Sequence, residues 1–501
     1  MRFLCSREEM QAIDAYSIHE IGIPGVVLME KAAMAAKEEI CKRYPEGASV
    51  LIVTERGNNG GDGLALGRLL MGEGFQVTFY EIGHVPKASE SYEIQRNILV
   101  RLEAVFVEEM PEKDFDLWVD AVFGVGLKRE VAGIHKSILD TINEKKGFKM
   151  ALDVPSGVDA STGQILGTAF RADLTVTFGQ NKVGLVLYPG AGMAGTVMVK
   201  DIGFPAQAVS KVSPAACTFG REDLSLLPQR RSWSHKGAYG RVLLIAGAKN
   251  MAGAAYLSGL AAYKSGCGLV RIFTCEENRV ILQQQLPEAI MTTYSTLEEA
   301  AERLPEALSW ATAAGIGPGL STSFLAMELV RTVLQYGKIP LVLDADGLNC
   351  LAMMKKENPK DYERLYENYE HGIIVTPHLK EMSRLNGQTI KELQMNLPGA
   401  AEEFADKKHV CVLKDARTVV SDGSFPSYIN MSGNHGMSVG GSGDVLTGMI
   451  CGLLAGGLDL LTAARLGVFC HGLAGDEAAK EKGYYGLLAR DLPEYLGRVI
   501  R

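Results

Sequence analysis

Short apolar, β-branched runs alternate along the whole chain with segments whose apolar residues recur at helical spacing. In the first part the strand-like runs are Ser49–Thr54 (SVLIVT), Gln76–Tyr80 (QVTFY), Leu117–Val122 (LWVDAV), Lys149–Val154 (KMALDV) and Asp173–Phe178 (DLTVTF). Their apolar residues are continuous, which predicts strands covered on both faces, as in a parallel sheet. Leu64–Met71 and Glu90–Glu103 predict helices between them, and Ser6–Tyr44 reads as helix broken at Gly22–Gly25. The alternation restarts with Arg241–Ala246 (RVLLIA), Leu269–Thr274 (LVRIFT), Pro340–Asp344 (PLVLD), Gly372–Thr376 (GIIVT) and Val410–Lys414 (VCVLK), with helices predicted over Ala252–Ser265 and Gly443–Leu454. Between the two series, over Phe204–Ser225, periodicity fades and Pro205, Pro214 and Pro228 punctuate the chain. The pattern predicts an α/β protein of two domains, 1–215 and 216–501, each a mostly parallel sheet flanked by helices.

Composition narrows the function classes. A chain of 501 residues has a length prior of roughly two to four domains, and the 47% apolar, 22% charged balance is that of globular protein. The net charge of −8 argues against nucleic-acid binding, which wants a basic surface. No apolar stretch reaches the roughly 18–20 residues of a membrane span; Val445–Leu458 comes nearest and is interrupted by glycines. The opening MRFLCSREEM carries no secretory apolar core, so a cytoplasmic protein is expected. The 9 cysteines are scattered without a CxxC pair, which predicts buried, reduced thiols rather than disulfides or a zinc site. The 56 glycines are about 11% of the chain against a usual ~7%.

Part of that glycine lies at predicted strand ends. Gly57-Asn58-Asn59-Gly60-Gly61-Asp62-Gly63 follows one strand and precedes a helix, where an open α/β sheet binds its ligands. A tight strand–helix connection needs fewer residues, so a ligand loop is expected. The segment is neither G-x-G-x-x-G nor a P-loop. The strand ending at Asp120 runs into Phe123-Gly124-Val125-Gly126-Leu127-Lys128-Arg129, and the next into Asp153-Val154-Pro155-Ser156-Gly157. Strand-end acids often cap the following helix, but three such ends together predict one crevice. Asn59, Asp120 and Ser156 could offer oxygen ligands to a hard or alkali cation.

In the second part Gly440-Gly441-Ser442-Gly443-Asp444 opens an apolar helix. Its first amides would form an anion site, with Asp444 placed to take a proton from a substrate hydroxyl; the plain alternative is an N-cap. Lys414–Thr418 reads as a hairpin-like connection, and Thr376-Pro377-His378 follows a strand, where His378 is a ligand contact or a satisfied structural histidine. Asp344–Asn349, Gly315–Leu320 and Gly247–Ala254 occupy further strand ends.

GNNGGDG, VDAVFGVGLKR and ALDVPSGVDASTG resemble the NAD(P)H-hydrate epimerase domain along most of residues 1–215. The resemblance implies a Rossmann-like domain in which Asn58, Asn59, Gly60, Gly61 and Asp62, with Gly124, Val125, Gly126, Leu127, Lys128, Arg129 and Glu130, hold the substrate. It further implies Asp153 as the acid/base residue at the reacting ring, and K+ on Asn59, Asp120 and Ser156. HKGAYGRVLLIAG, GIGPGL, LDADGLN, TPHLKEM, LKDARTVV and GGSGDVLTGMI resemble, in order, the ribokinase-like ADP/ATP-dependent NAD(P)H-hydrate dehydratases. That likeness implies Ala254, Gly319, His378 and Asp444 at the hydrated dinucleotide, with Asp444 as base. It places Lys414, Asp415, Ala416, Arg417, Thr418 and Gly443 at the adenine nucleotide. Departures from the families' patterns stand at Glu55-Arg56, Ala248–Met251, Leu379-Lys380 and Asp415. The implied protein repairs NAD(P)H hydrates with ADP or ATP as co-substrate, Mg2+ at the phosphates and K+ in the epimerase domain, as an even-numbered homo-oligomer. The alternative is a ribokinase-like kinase for a vitamin alcohol fused to a dinucleotide-binding sensor.

Overall fold

Ser49–Thr54 forms a strand whose successive side chains reach opposite faces of a sheet, and both faces are filled. Val50 and Ile52 pack with Leu28, Met29, Leu64 and Phe79, while Leu51 and Val53 pack with Trp118, Leu139 and Phe170. That two-sided burial is why the strand reads as an unbroken apolar run. The computed structural model describes residues 1–83 and 88–500. The chain divides into Phe3–Ala216 and a second unit of Met1–Arg2 with Cys217–Arg501.

In the N-terminal unit one seven-stranded sheet contains β1 (Ser49–Thr54), β2 (Gln76–Glu81), β3 (Val105–Val107), β4 (Leu117–Ala121), β5 (Phe148–Leu152), β6 (Leu174–Phe178) and β7 (Thr196–Lys200). They run in the order β3-β2-β1-β4-β5-β6-β7, and every pair is parallel. The order reverses between β1 and β4, so a crevice opens at their carboxyl ends, the usual ligand position of such sheets. The predicted long leading helix is three pieces: Arg7–Ala15, a π-helical turn Tyr16–Glu20, and Gly25–Cys41.

The C-terminal unit contains β8 (Arg241–Ile245), β9 (Leu269–Cys275), β10 (Ile290–Tyr294), β11 (Ala313–Ile316), β12 (Leu341–Leu343), β13 (Ile373–Val375), β14 (His409–Leu413), β15 (Val419–Ser421) and β16 (Ser427–Ile429). Their order is β10-β9-β8-β11-β12-β13-β14-β15-β16, parallel up to β14 and antiparallel beyond it. The helix Ser442–Ala455 is buried along its whole length from Val445 onwards. It packs closely on Ala252–Lys264, where a Cβ on Gly448 would lie 2.0 Å from the Ser258 carbonyl oxygen. Here glycine serves helix contact.

All nine cysteines are free thiols, and the expectation of burial fails at Cys41, which is exposed, and at the half-buried Cys275. Among the described residues no helix is long and apolar enough to cross a membrane.

Candidate functional sites

The segment expected to be a ligand loop is the start of a helix, Asn58–Gly72, with Gly57 as N-cap. Glycine inside a helix costs up to about 1 kcal/mol, so these glycines need a reason. Close packing supplies it. A Cβ on Gly60 would lie 1.7 Å from the Glu55 carbonyl oxygen, and one on Gly63 2.4 Å from the Ala121 Cβ. The helix therefore sits hard against the sheet, while Asn58, Asn59 and Asp62 face a cavity of about 800 Å³ at the carboxyl ends of the strands. Gly124 to Arg129 and Asp153 line the same cavity. Glu130 lines an adjoining cleft with Phe123, Val131 and His135. Glu55 and Arg56 also line the cavity, and Glu55 Oε1 stands 3.5 Å from His135 Nε2.

Asp153 follows β5 with φ +64, a left-handed conformation that costs an L residue energy and often marks a functional position. Its Oδ2 accepts from the Val125 N–H at 3.1 Å, and its Oδ1 from Lys182 Nζ at 2.6 Å. Two further acids, Asp14 and Asp62, line this cavity. Burial is the first cause raising each carboxyl above the ordinary aspartate range, and the charge of Asp153 is the next. Lys182 and Asp14 went unnoticed in the sequence, where one follows a strand without a motif and the other sits on an ordinary amphipathic helix.

Asp120 and Ser156 meet at the reversal of strand order. Asp120 Oδ2 accepts from the Ser156 N–H at 2.7 Å, and Oδ1 from Ser156 Oγ at 2.6 Å. Burial pushes the Asp120 carboxyl up to about 6 against the pull of these hydrogen bonds. The Asn59 side chain is buried with neither Oδ1 nor Nδ2 hydrogen-bonded. A Cβ on Gly124 would stand 3.2 Å from both Asn59 Oδ1 and Asp153 Oδ2, so the two side chains converge on one glycine.

In the C-terminal unit the hub is a residue that sequence reasoning left without a role. Asp344, at the end of β12, is buried, with Oδ1 accepting from Lys414 Nζ and from Thr376 Oγ1, each at 2.7 Å. Its Oδ2 accepts from Thr447 Oγ1 at 2.8 Å. Three strand ends and the helix of Asp444 are thereby tied together. Burial first, then the negative charge of Asp344, raises the Asp444 carboxyl to about 7, with Lys414 opposing. Burial would lower the Lys414 ammonium, but Asp344 and Glu381 outweigh it and hold it above the usual lysine value.

Gly443 opens the helix beside this cluster, its Cβ position 3.4 Å from Lys414 Nζ. Asp415 and Ala416 are exposed in the turn between β14 and β15, while Arg417 Nη1 donates to the Met431 carbonyl at 3.1 Å and the Thr418 carbonyl accepts from the Asn430 N–H at 2.9 Å. Gly319 and Ala254 meet, since a Cβ on Gly319 (φ +57) would lie 2.9 Å from the Ala254 Cβ. His378 caps the helix Leu379–Asn386: its Nδ1 accepts from the N–H groups of Lys380 and Glu381 at 3.1 and 3.2 Å. Its Nε2 lies 3.2 Å from Glu381 Oε1. Burial and Lys414 lower its affinity for a second proton. The Lys414 N–H donates to the Pro377 carbonyl at 2.8 Å, so His378 borders the Lys414 cluster. Among the described residues no group of three or more His, Cys, Asp or Glu is arranged as a metal site.

Comparison with known proteins matches both units. The family described as NAD(P)H-hydrate dehydratase matches residues 242–498, and that described as YjeF-related protein N-terminus matches residues 25–184. The chain is 36% identical over 528 residues to the bifunctional NAD(P)H-hydrate repair enzyme Nnr of Moorella thermoacetica, covering 100% of this chain and 97% of that protein. It is 32% identical over 498 residues to the enzyme of that name from Escherichia coli, covering 99% and 92%. A ribokinase-like superfamily protein from Enterococcus faecalis resembles it in structure with a TM-score of 0.50 and 28% identity, over 57% of this chain and 96% of that one.

Proposed function

The chain belongs to the family of bifunctional NAD(P)H-hydrate repair enzymes, and on that premise we propose how its residues divide the two reactions. The protein epimerises NAD(P)H hydrate in its N-terminal domain and dehydrates it in an ADP/ATP-dependent reaction in its C-terminal domain. We place the division at 215/216. A vitamin-alcohol kinase fused to a sensor is not favoured, because both families match in order along one chain.

The hydrate carries a hydroxyl on C6 of the nicotinamide ring, beside the ring nitrogen. Proton transfer at that hydroxyl lets the centre open and re-form on either face. Asp153 is the acid/base residue, with the ring seated in the cavity between Asn58–Asp62 and Gly124–Arg129. Asn59, Asp120 and Ser156 would hold K+, whose charge would steady this end of the cavity when bound. The unpartnered, buried Asn59 amide fits that role.

In the C-terminal domain Asp444 takes the proton of the C6 hydroxyl as its oxygen attacks the terminal phosphorus of ADP or ATP. The bond from that phosphorus to the bridging oxygen breaks, leaving the shortened nucleotide and a phosphate ester on C6. Loss of phosphate from C6 with a proton from C5 then restores the C5–C6 double bond. Transfer of this kind is positioning and charge stabilisation, which Lys414 and the amides at Gly443 supply. Mg2+, when bound beside Lys414 and Gly443, would neutralise charge on the phosphate chain. The observation carrying the reading is the burial of Asp444 beside Asp344 and Lys414, which sets its carboxyl near neutrality, where a base is most effective.

The test is recovery of NADH from separated R and S hydrates with K+, Mg2+ and ADP or ATP. Asp444→Asn should stop NADH return and leave R/S exchange above the spontaneous rate. Asp153→Asn should stop exchange and leave conversion of the S form. Normal exchange in Asp153→Asn would remove Asp153 from the mechanism.

A further inference from the structure

Lys182 is 1% exposed in the N-terminal domain. An ammonium withdrawn from water is costly unless every donor is used, and here all three are. Lys182 Nζ donates to Asp153 Oδ1 at 2.6 Å, to Thr177 Oγ1 at 2.7 Å and to the Phe178 carbonyl at 2.8 Å. Thr177 and Phe178 are the last residues of β6, so the charge is anchored to the sheet and not to a side chain free to swing. Thr177 Oγ1 also reaches Asp153 Oδ1 at 3.3 Å, a second arm onto the same oxygen. The Asp153 N–H is fixed in turn to the Val176 carbonyl at 2.8 Å.

The two oxygens of Asp153 therefore differ. Oδ1 is held from the sheet side. Oδ2 meets the Val125 N–H at 3.1 Å and faces the glycine segment that lines the cavity. Gly124 leaves room there, since its Cβ would stand 3.2 Å from that oxygen.

We infer that Lys182 is the positioning residue of the epimerase: it occupies Oδ1 of Asp153, so that Oδ2 is the oxygen that exchanges a proton with the substrate. The inference rests on the reading of Asp153 as the acid/base residue and adds to it which oxygen works and what holds it. Without Lys182 the carboxylate would be free to rotate at χ2. It would also lose the cation that compensates it beside Asp14 and Asp62, which line the same cavity. Cys5, in the short strand Arg2–Cys5 that pairs with Lys182, has Glu9 near it, and Arg56, Lys128 and Arg129 are the further cations lining the cavity.

The experiment compares R/S exchange by the full-length protein in Lys182→Gln, Thr177→Val and Asp153→Asn, with dehydration of the S hydrate by the same samples as the internal control for protein quality. Lys182→Gln should lower epimerase kcat at least 100-fold and keep KM within about threefold. Thr177→Val, which removes one arm at nearly constant volume, should lower kcat about tenfold. A residue that merely supported the fold would move KM and thermal stability together with kcat, and that outcome overturns the inference. So does Lys182→Gln with wild-type kcat while Asp153→Asn is inactive. If instead Asp153→Asn exchanges normally, the reading of the site fails first and the role of Lys182 falls with it.

Discussion

Thr447, one helical turn beyond Asp444, donates its hydroxyl to Asp344 Oδ2 at 2.8 Å, and Lys414 holds the opposite oxygen at 2.7 Å. Asp344 thus fixes the helix that carries Asp444 and the Lys414 side chain from one buried carboxylate. Its charge is also the second cause, after burial, of the rise of Asp444 to about 7. Only the unprotonated base takes a proton, so dehydratase kcat/KM should climb about tenfold per pH unit below 7 and level off above it. Asp344→Asn removes a neighbouring negative charge, so the midpoint should move down. Burial remains, so it should stay above the ordinary aspartate range. The maximal rate should fall at least tenfold, because Lys414 loses its partner. A pH–rate profile of the two proteins checks this, and an unmoved midpoint would show that Asp344 and Asp444 are uncoupled.

The Asn59 amide gives a second expectation. A buried amide with no partner costs about 1–3 kcal/mol unless something else satisfies it. If K+ does so, epimerase activity should rise when KCl replaces choline chloride at constant ionic strength. Asn59→Leu should flatten that response while leaving dehydratase activity unchanged. Exchange rates across a KCl titration decide it; equal rates in both salts would leave the amide without a cation.

The architecture was legible because both sheets are buried on two faces, so Ser49–Thr54, Leu117–Ala121 and Arg241–Ile245 appear as unbroken apolar runs. The edge strands Val105–Val107 and Thr196–Lys200 did not announce themselves, because they carry exposed residues. Val419–Ser421 and Ser427–Ile429 are buried but only three residues long, too short for a pattern to show. At the candidate sites, residues inside motifs stand out in the sequence, and their buried partners do not. Lys182 and Asp344 are ordinary letters until folding removes their water. The sequence pattern offers only ligand approach for the glycines of Gly57–Gly63, yet Gly60 and Gly63 are needed for helix-on-sheet contact, a pressure that composition does not show.

At Gly443 the proposed nucleotide contact can be tested apart from the fold. A methyl there would meet Lys414 Nζ at 3.4 Å and Asp344 Oδ2 at 3.7 Å, ordinary contact distances that the structure accommodates. It would nevertheless cover the helix start and shield Lys414 from a phosphate. Gly443→Ala should raise the KM for ADP or ATP about tenfold, with R/S exchange and the melting temperature unchanged. Nucleotide titrations of NADH recovery measure it, and an unchanged KM would place the phosphates elsewhere.

Gly63 and Gly72 lie in one helix and predict opposite responses to the same substitution. Alanine favours an exposed helix position over glycine by up to about 1 kcal/mol. At Gly72 a Cβ meets nothing within 4 Å, so Gly72→Ala should leave stability unchanged or slightly raised. At Gly63 the Cβ would stand 2.4 Å from the Ala121 Cβ and 3.2 Å from Ile52 Cγ2, and neither neighbour is the end of a flexible chain. Relief requires lifting the helix from the sheet, an overpacking cost of about 1–3 kcal/mol that exceeds the propensity gain. The shift would also carry Asn59 and Asp62 away from Asp153. Gly63→Ala should therefore lower the midpoint at which epimerase activity is lost on heating by several degrees and reduce exchange before melting, with the dehydratase transition unmoved. If Gly63→Ala melted and exchanged like Gly72→Ala, the close helix–sheet contact would not be what this glycine provides.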